Sequence, residues 1–149
     1  MQRFMKKSCT FFGHRDVPDR IYEELKSCIK EQIEKEDIRM FYFGDQGKFD
    51  RMVLRALKEC KKEYSDIELL MVAAYFPENK QTEADEIIFP EELEGRPKRL
   101  AILLRNQYMI EKAACYVFYV NRSFGGAAKA LEYAKKKNKI IINLYESEA

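Results

Sequence analysis

Three times along this chain a run of β-prone residues ends in glycine and gives way to a helical pattern. The runs are Cys9-Thr10-Phe11-Phe12-Gly13-His14-Arg15, Met40-Phe41-Tyr42-Phe43-Gly44-Asp45-Gln46-Gly47, and Val117-Phe118-Tyr119-Val120 leading to Ser123-Phe124-Gly125-Gly126. Units of this kind build an α/β sheet, whose strand ends and helix starts gather along one edge. Glycine at that edge lets the backbone approach a ligand, and the unpaired N–H groups of a helix start face an anion there. The edge as a whole, rather than any single residue, is where the sequence places a function.

The rest of the chain keeps the alternation. A strand over 8–13 is followed by Pro18, suited to a first helical turn, and by Ile21, Leu25, Cys28, Ile29 and Ile33 at helical spacing, to about Lys35. Strand 38–44 precedes a helix over about 49–62, with Met52, Val53, Ala56, Leu57 and Cys60 on its inner face. Ile67 to Ala74 is continuously apolar, as a strand buried on both faces is, and parallel pairing follows. The stretch from Tyr75 to Pro97 holds Pro77, Pro90 and Pro97, an acidic-polar run from Glu78 to Glu86, and the strand-like Ile87-Ile88-Phe89. It reads as a surface excursion or as a lid over the ligand edge. Helix 98–112, strand 115–120, helix 126–137 and strand 139–144 complete one α/β domain over residues 1–149, with a mostly parallel sheet and helices on both faces.

Charge narrows the function classes. Twenty-seven basic and 25 acidic side chains leave a net charge of +2, so no bulk field draws the chain to nucleic acid or a membrane surface. Met1 to Lys7 has no apolar run behind it, and no stretch approaches the roughly 18 apolar residues of a membrane span, so cytoplasmic residence is expected. Cys9, Cys28, Cys60 and Cys115 are scattered through apolar strands and helix stripes and read as buried thiols. A single histidine, His14, argues against a transition-metal site, and no cofactor is implied.

The candidate site residues follow from the three glycine turns. Gly13, His14 and Arg15 end the first strand. Arg15 is suited to clamp phosphate and His14 to donate a hydrogen bond or carry a proton, unless the pair only ties the strand end to a neighbouring loop. Gly44 and Gly47 allow a tight loop, and Asp50 either caps the helix that follows or holds a ribose hydroxyl. Neither GxxxxGK[ST] nor GxGxxG is present. Gly125 and Gly126, with small Ala127 and Ala128 behind them, form an anion cradle or else serve close helix–sheet packing. Arg105 and Asn106 lie on a helix whose Leu100, Leu103 and Leu104 are expected to face inward, which would leave the polar pair at the surface. Glu132 is about one and a half turns beyond Gly126, facing either the site or solvent.

Taken in order, Phe12-Gly13-His14-Arg15, Gly44-x-x-Gly47-x-x-Asp50, Arg105-Asn106-x-x-Met109, and Gly125-Gly126 followed by Glu132-Tyr133-Ala134 resemble the SLOG superfamily over about residues 8–145. That group includes the Lonely-guy phosphoribohydrolases and the DNA-processing protein A domain, and the GHR start is most similar to its YpsA-like branch. The resemblance implies a Rossmann-like domain binding a nucleotide or nucleotide-derived ligand across the strand ends, in the manner of a sensor. Its alternative is a phosphoribohydrolase that cleaves the N-glycosidic bond of nucleoside monophosphates, with Arg105 and Glu132 at the positions of the catalytic pair. Against the Lonely-guy PGGxGTxxE loop, Phe124 replaces the proline, Ala128 the third glycine and Lys129 the threonine. Folds of this kind often pair through helices, so a homodimer is expected.

Overall fold

A computed structural model describes residues 7–78 and 82–147. Six strands form one sheet: β1 (Lys7–Gly13), β2 (Ile38–Phe43), β3 (Glu68–Val72), β4 (Glu86–Ile88), β5 (Cys115–Tyr119) and β6 (Ile140–Asn143). Every pairing is parallel, in the order β4-β3-β2-β1-β5-β6. Five helices accompany them: α1 (Tyr22–Glu36), α2 (Lys48–Glu63), α3 (Lys98–Lys112), α4 (Gly126–Lys135) and the single turn α5 (Leu144–Ser147).

Alternation along the strands divides the core in two. Phe11, Phe41, Phe43, Leu69 and Val117 point to one face and pack with Leu25 and Ile29 of α1 and Val53 and Leu57 of α2. Their neighbours Phe12, Tyr42, Leu70, Val72 and Phe118 point to the other face, against Met109 and Ile110 of α3 and Ala128 and Ala134 of α4. Both faces of the sheet are covered, which is why its strands read as unbroken apolar runs. Among the described residues no helix is long and apolar enough to cross a membrane.

The strand order places the functional edge. From β1 the chain steps outward through β2 and β3 to β4, then returns through α3 to build β5 and β6 on the opposite side of β1. The direction of winding therefore reverses between β1 and β5. Just beyond the C-terminal ends of those two strands is the crevice where open α/β sheets bind ligands.

One local expectation needs correction, and another is narrowed. The first concerns α3, whose buried residues are Ala101, Arg105, Asn106, Met109 and Ile110, while Leu103 is exposed. Apolar residues on both sides of this helix leave its periodicity without a single phase, and the polar pair turns inward because partners await it there. The second concerns the segment 75–97. Its described part carries β4 and is stitched to the sheet edge remote from β5: Asp85 donates its amide to the Leu69 carbonyl at 2.8 Å and accepts the Leu69 amide on its carboxylate at 2.7 Å. None of its described residues lines the crevice, which fits the surface-excursion reading: an edge strand with its connections. Residues 79–81 of the acidic-polar run lie outside the described residues.

Gly13 has a packing reason to be glycine. A Cβ there would fall 2.3 Å from the Phe49 ring of α2. Phe49 is itself fully buried and cannot retreat. Gly13→Ala is expected to destabilise the fold by roughly 1–3 kcal/mol, seen as a melting temperature several degrees lower. An unchanged melting temperature would show that Phe49 has room to move.

Candidate functional site

A cavity of about 330 Å³ opens at the β1/β5 crevice. Nine of the ten expected ligand-binding residues line it: Gly13, His14 and Arg15 after β1, Gly44 and Asp50 around the start of α2, Arg105 and Asn106 on α3, and Gly125 and Gly126 at the start of α4. Gly47 does not. Its φ of 92° suits glycine, and a Cβ there would press on the Arg15 stem at 3.2 Å, so it supports Arg15 from behind.

Arg105 is the polar centre of the cleft. It is buried, donating from Nε to Asn106 Oδ1 at 2.9 Å and from Nη1 to the Val72 carbonyl at 3.0 Å and to Asp45 Oδ1 at 3.3 Å. These bonds tie α3 to the end of β3 and to the β2–α2 loop, and none of them uses Nη2. Gly44 makes room for the arrangement, since a Cβ there would lie 2.7 Å from Asp50 Oδ2 and 2.8 Å from Arg105 Nη1.

Asp50 does not cap α2 from the N-cap position, which is Gly47. It sits in the first turn and accepts the Gln46 amide at 2.8 Å, folding the loop back on itself. Burial pushes its carboxyl from 3.8 up to about 6, against the opposing pull of Arg105 and the backbone amides of Gln46 and Gly44. A folded pKa above the unfolded one favours the folded state most at low pH. That contribution is lost as pH rises through about 6. The stability of wild type minus that of Asp50→Asn, which keeps an acceptor for Gln46, is therefore expected to fall by about 2–3 kcal/mol between pH 4 and pH 7. Urea unfolding of both proteins at each pH checks this, and a flat difference would mean that Asp50 ionises as an ordinary carboxylate.

His14 is buried, and its Nε2 accepts the amide of Asn121, just past β5, at 3.1 Å. That geometry calls for a neutral ring with the proton on Nδ1. Burial, and then the nearby Arg122 guanidinium, lower its pKa and hold it neutral. His14 thus ties the strand end to the neighbouring loop, as one of the two readings of the sequence has it, and it also lines the cleft. Arg15 is exposed, with no hydrogen bond or ion pair of its side chain among the described residues.

The start of α4 is an open cradle. Gly125 is the N-cap, at φ 95° and ψ 172°, a conformation essentially confined to glycine, and no side chain caps the helix. A Cβ on Gly125 or Gly126 would meet nothing within 4 Å. Close helix–sheet packing therefore does not explain these glycines, and the start of α4 borders the cleft. Glu132 lies elsewhere: it is exposed, 3.2 Å from Lys135, and does not line the cavity that holds Arg105.

Sequence reading missed Arg122, Gln46 and Ile102, which also line the cleft. Arg122 follows β5 directly on the loop that carries the cradle. It contacts Asp16 on the β1 side and lies over the Phe124 ring at 5.0 Å. Its one sequence signal is that position, three residues before Gly125. Cys9, Cys60 and Cys115 are buried, and Cys28 is only half-buried. Among the described residues no group of three or more His, Cys, Asp or Glu side chains is placed to hold a metal.

An all-parallel sheet with a cleft at its winding reversal, walled by a glycine-started helix, defines a Rossmann-like α/β protein. No family model matches the chain, and no curated protein does. Among solved structures it is similar to DNA processing protein A (DprA) from Streptococcus pneumoniae, with a TM-score of 0.65 and 10% identity, over 91% of this chain and 49% of that one. At that identity the likeness is one of fold, and the chain spans about half the length of that structure. The fold is thus a Rossmann-like α/β fold similar to that of DNA processing protein A.

Proposed function

We propose that this protein binds a nucleotide or nucleotide-derived ligand, in the manner of a sensor, with a phosphate at the Gly125–Gly126 cradle. One observation carries the reading: Gly126 has neither a positive φ nor a crowding neighbour to require glycine, yet it lines the cleft at an uncapped helix start. Open space before unpaired amides at the positive end of a helix suits an oxyanion. Arg15 and Arg105 supply cationic walls, and Asp50 an acceptor for a sugar hydroxyl. Within the SLOG type, Gly13-His14-Arg15 favours the YpsA-like branch, and four free thiols suit a reducing cytoplasm.

Hydrolysis of a nucleoside monophosphate by Arg105 and Glu132 would require both groups to act on one substrate. Arg105 lines the cleft and Glu132 does not, so binding is the stronger reading. The DNA-processing role in the neighbour's name does not come over to this chain, whose net charge is only +2.

The test is to denature purified protein and identify what it releases by mass spectrometry. A phosphate-bearing nucleoside derivative, carried by wild type and missing from Gly126→Asp, is the expected result. Equal amounts from both proteins would contradict the cradle.

A further inference from the structure

An ion pair spans the mouth of the cleft. Asp16 stands three residues past the end of β1, and Arg122 three residues past the end of β5. They meet two-on-two, Arg122 Nη2 to Asp16 Oδ1 at 3.2 Å and Nη1 to Oδ2 at 3.4 Å. Both contacts are long for a charge-assisted pair. The Asp16 side chain is 73% exposed, so the pair is well screened and returns little.

The rest of Arg122 is poised but unsatisfied. Its Nε is buried without a hydrogen-bond partner among the described residues, which is costly for any donor. Its plane rests over the Phe124 ring, which limits where the fork can turn. The same side chain lines the cavity with Gly125 and Gly126. A loosely held fork, an orphaned donor and an adjacent oxyanion cradle point one way.

We propose that Arg122 is an anion-capturing residue held in reserve by Asp16: an oxyanion seated at the start of α4 takes the guanidinium over, and Asp16 is released to solvent. This rests on the oxyanion reading of the cleft given above. The chemistry asked of the ligand is an oxyanion with free oxygens for both the α4 amides and the Arg122 fork, which a terminal phosphate meets and a neutral nucleoside does not. Capture would free the loop after β1, which carries Asp16, from the loop after β5, which carries both Arg122 and the start of α4.

The exchange is tested by a double-mutant cycle on the full chain, with AMP and inorganic phosphate as titrants and adenosine as the neutral reference. Asp16→Asn removes the competitor and is expected to tighten both anions about two- to fivefold, the worth of an exposed ion pair. Arg122→Gln is expected to weaken them about tenfold or more. In the Arg122→Gln background Asp16→Asn is expected to change nothing further, because it acts through the arginine. Circular dichroism melts confirm that each variant is folded. Equal tightening in both backgrounds would reduce Asp16 to a general field effect and overturn the exchange, as would weaker binding in Asp16→Asn. AMP bound equally by wild type and Arg122→Gln would overturn it while leaving the cleft reading intact. No binding of AMP or phosphate by wild type or Asp16→Asn, with adenosine bound, would overturn the oxyanion reading and the exchange together.

Discussion

Gly126→Asp is expected to lose ligand affinity by about 100-fold or more while its melting temperature stays level or rises slightly. The two halves of this result have one cause. Position 126 opens α4, where a carboxylate interacts favourably with the positive end of the helix by about 0.3–1 kcal/mol, and replacing glycine within a helix helps further. Outside its own stretch of helix, nothing lies within 4 Å of the new Cβ, so the fold leaves room for a side chain there. The same carboxylate would put negative charge and bulk where the proposed phosphate would sit. A 100-fold loss corresponds to about 2.7 kcal/mol, within reach of losing two charge-assisted hydrogen bonds. Melting and titration of the two proteins side by side check both halves. An unfolded variant would return the glycine to a structural role, and retained affinity would remove the cradle.

Arg105→Ala is expected to be the most destabilising single change in the cleft. It removes three hydrogen bonds and leaves the Asp45 carboxylate, whose side chain is only 6% exposed, without its buried cation. Breaking a buried pair from one side costs about 3–5 kcal/mol, which for a chain of this size lowers the melting temperature by roughly 10 °C. Asp50 also loses the charge that holds its pKa down, so the Asp50 carboxyl should titrate still higher. Arg105→Ala in an Asp45→Asn background should cost less, because position 45 then carries no charge that loses its cation. If Arg105→Ala costs the same in the wild-type and Asp45→Asn backgrounds, the Arg105–Asp45 contact carries no coupling.

Much of this architecture was legible in the sequence because local period and buried strands speak plainly. The helix read over 98–112 has those bounds, and the strands fall within a residue or two of their expected ends. The glycine turns were legible as well, and the conformations of Gly47 and Gly125 give the physical reason. What escaped was set by contacts distant in sequence. Arg105 is drawn inward by a carbonyl 33 residues away and a carboxylate 60 residues away, and nothing in the spacing of Leu100, Leu103 and Leu104 announces either. Arg122 becomes part of the site because the winding reversal sets β5 beside β1, 106 residues from Asp16. Glu132 could have been placed better from the start. Six residues beyond Gly126 at 3.6 per turn is a rotation of about 240° beyond one full turn, which carries the carboxylate away from the cradle.

On the proposed reading, the cleft between β1 and β5 takes a phosphate-bearing nucleotide at Gly125–Gly126. The most direct test of this reading is the melting temperature of wild type and Gly126→Asp against mono- and dinucleotides, cyclic nucleotides and ADP-ribose at millimolar concentration. A ligand present at 100 times its Kd adds about 2.7 kcal/mol, and should raise the wild-type melting temperature by roughly 5–10 °C while leaving Gly126→Asp unmoved. No shift of wild type by any member of the panel, or the same shift in both proteins, would contradict it.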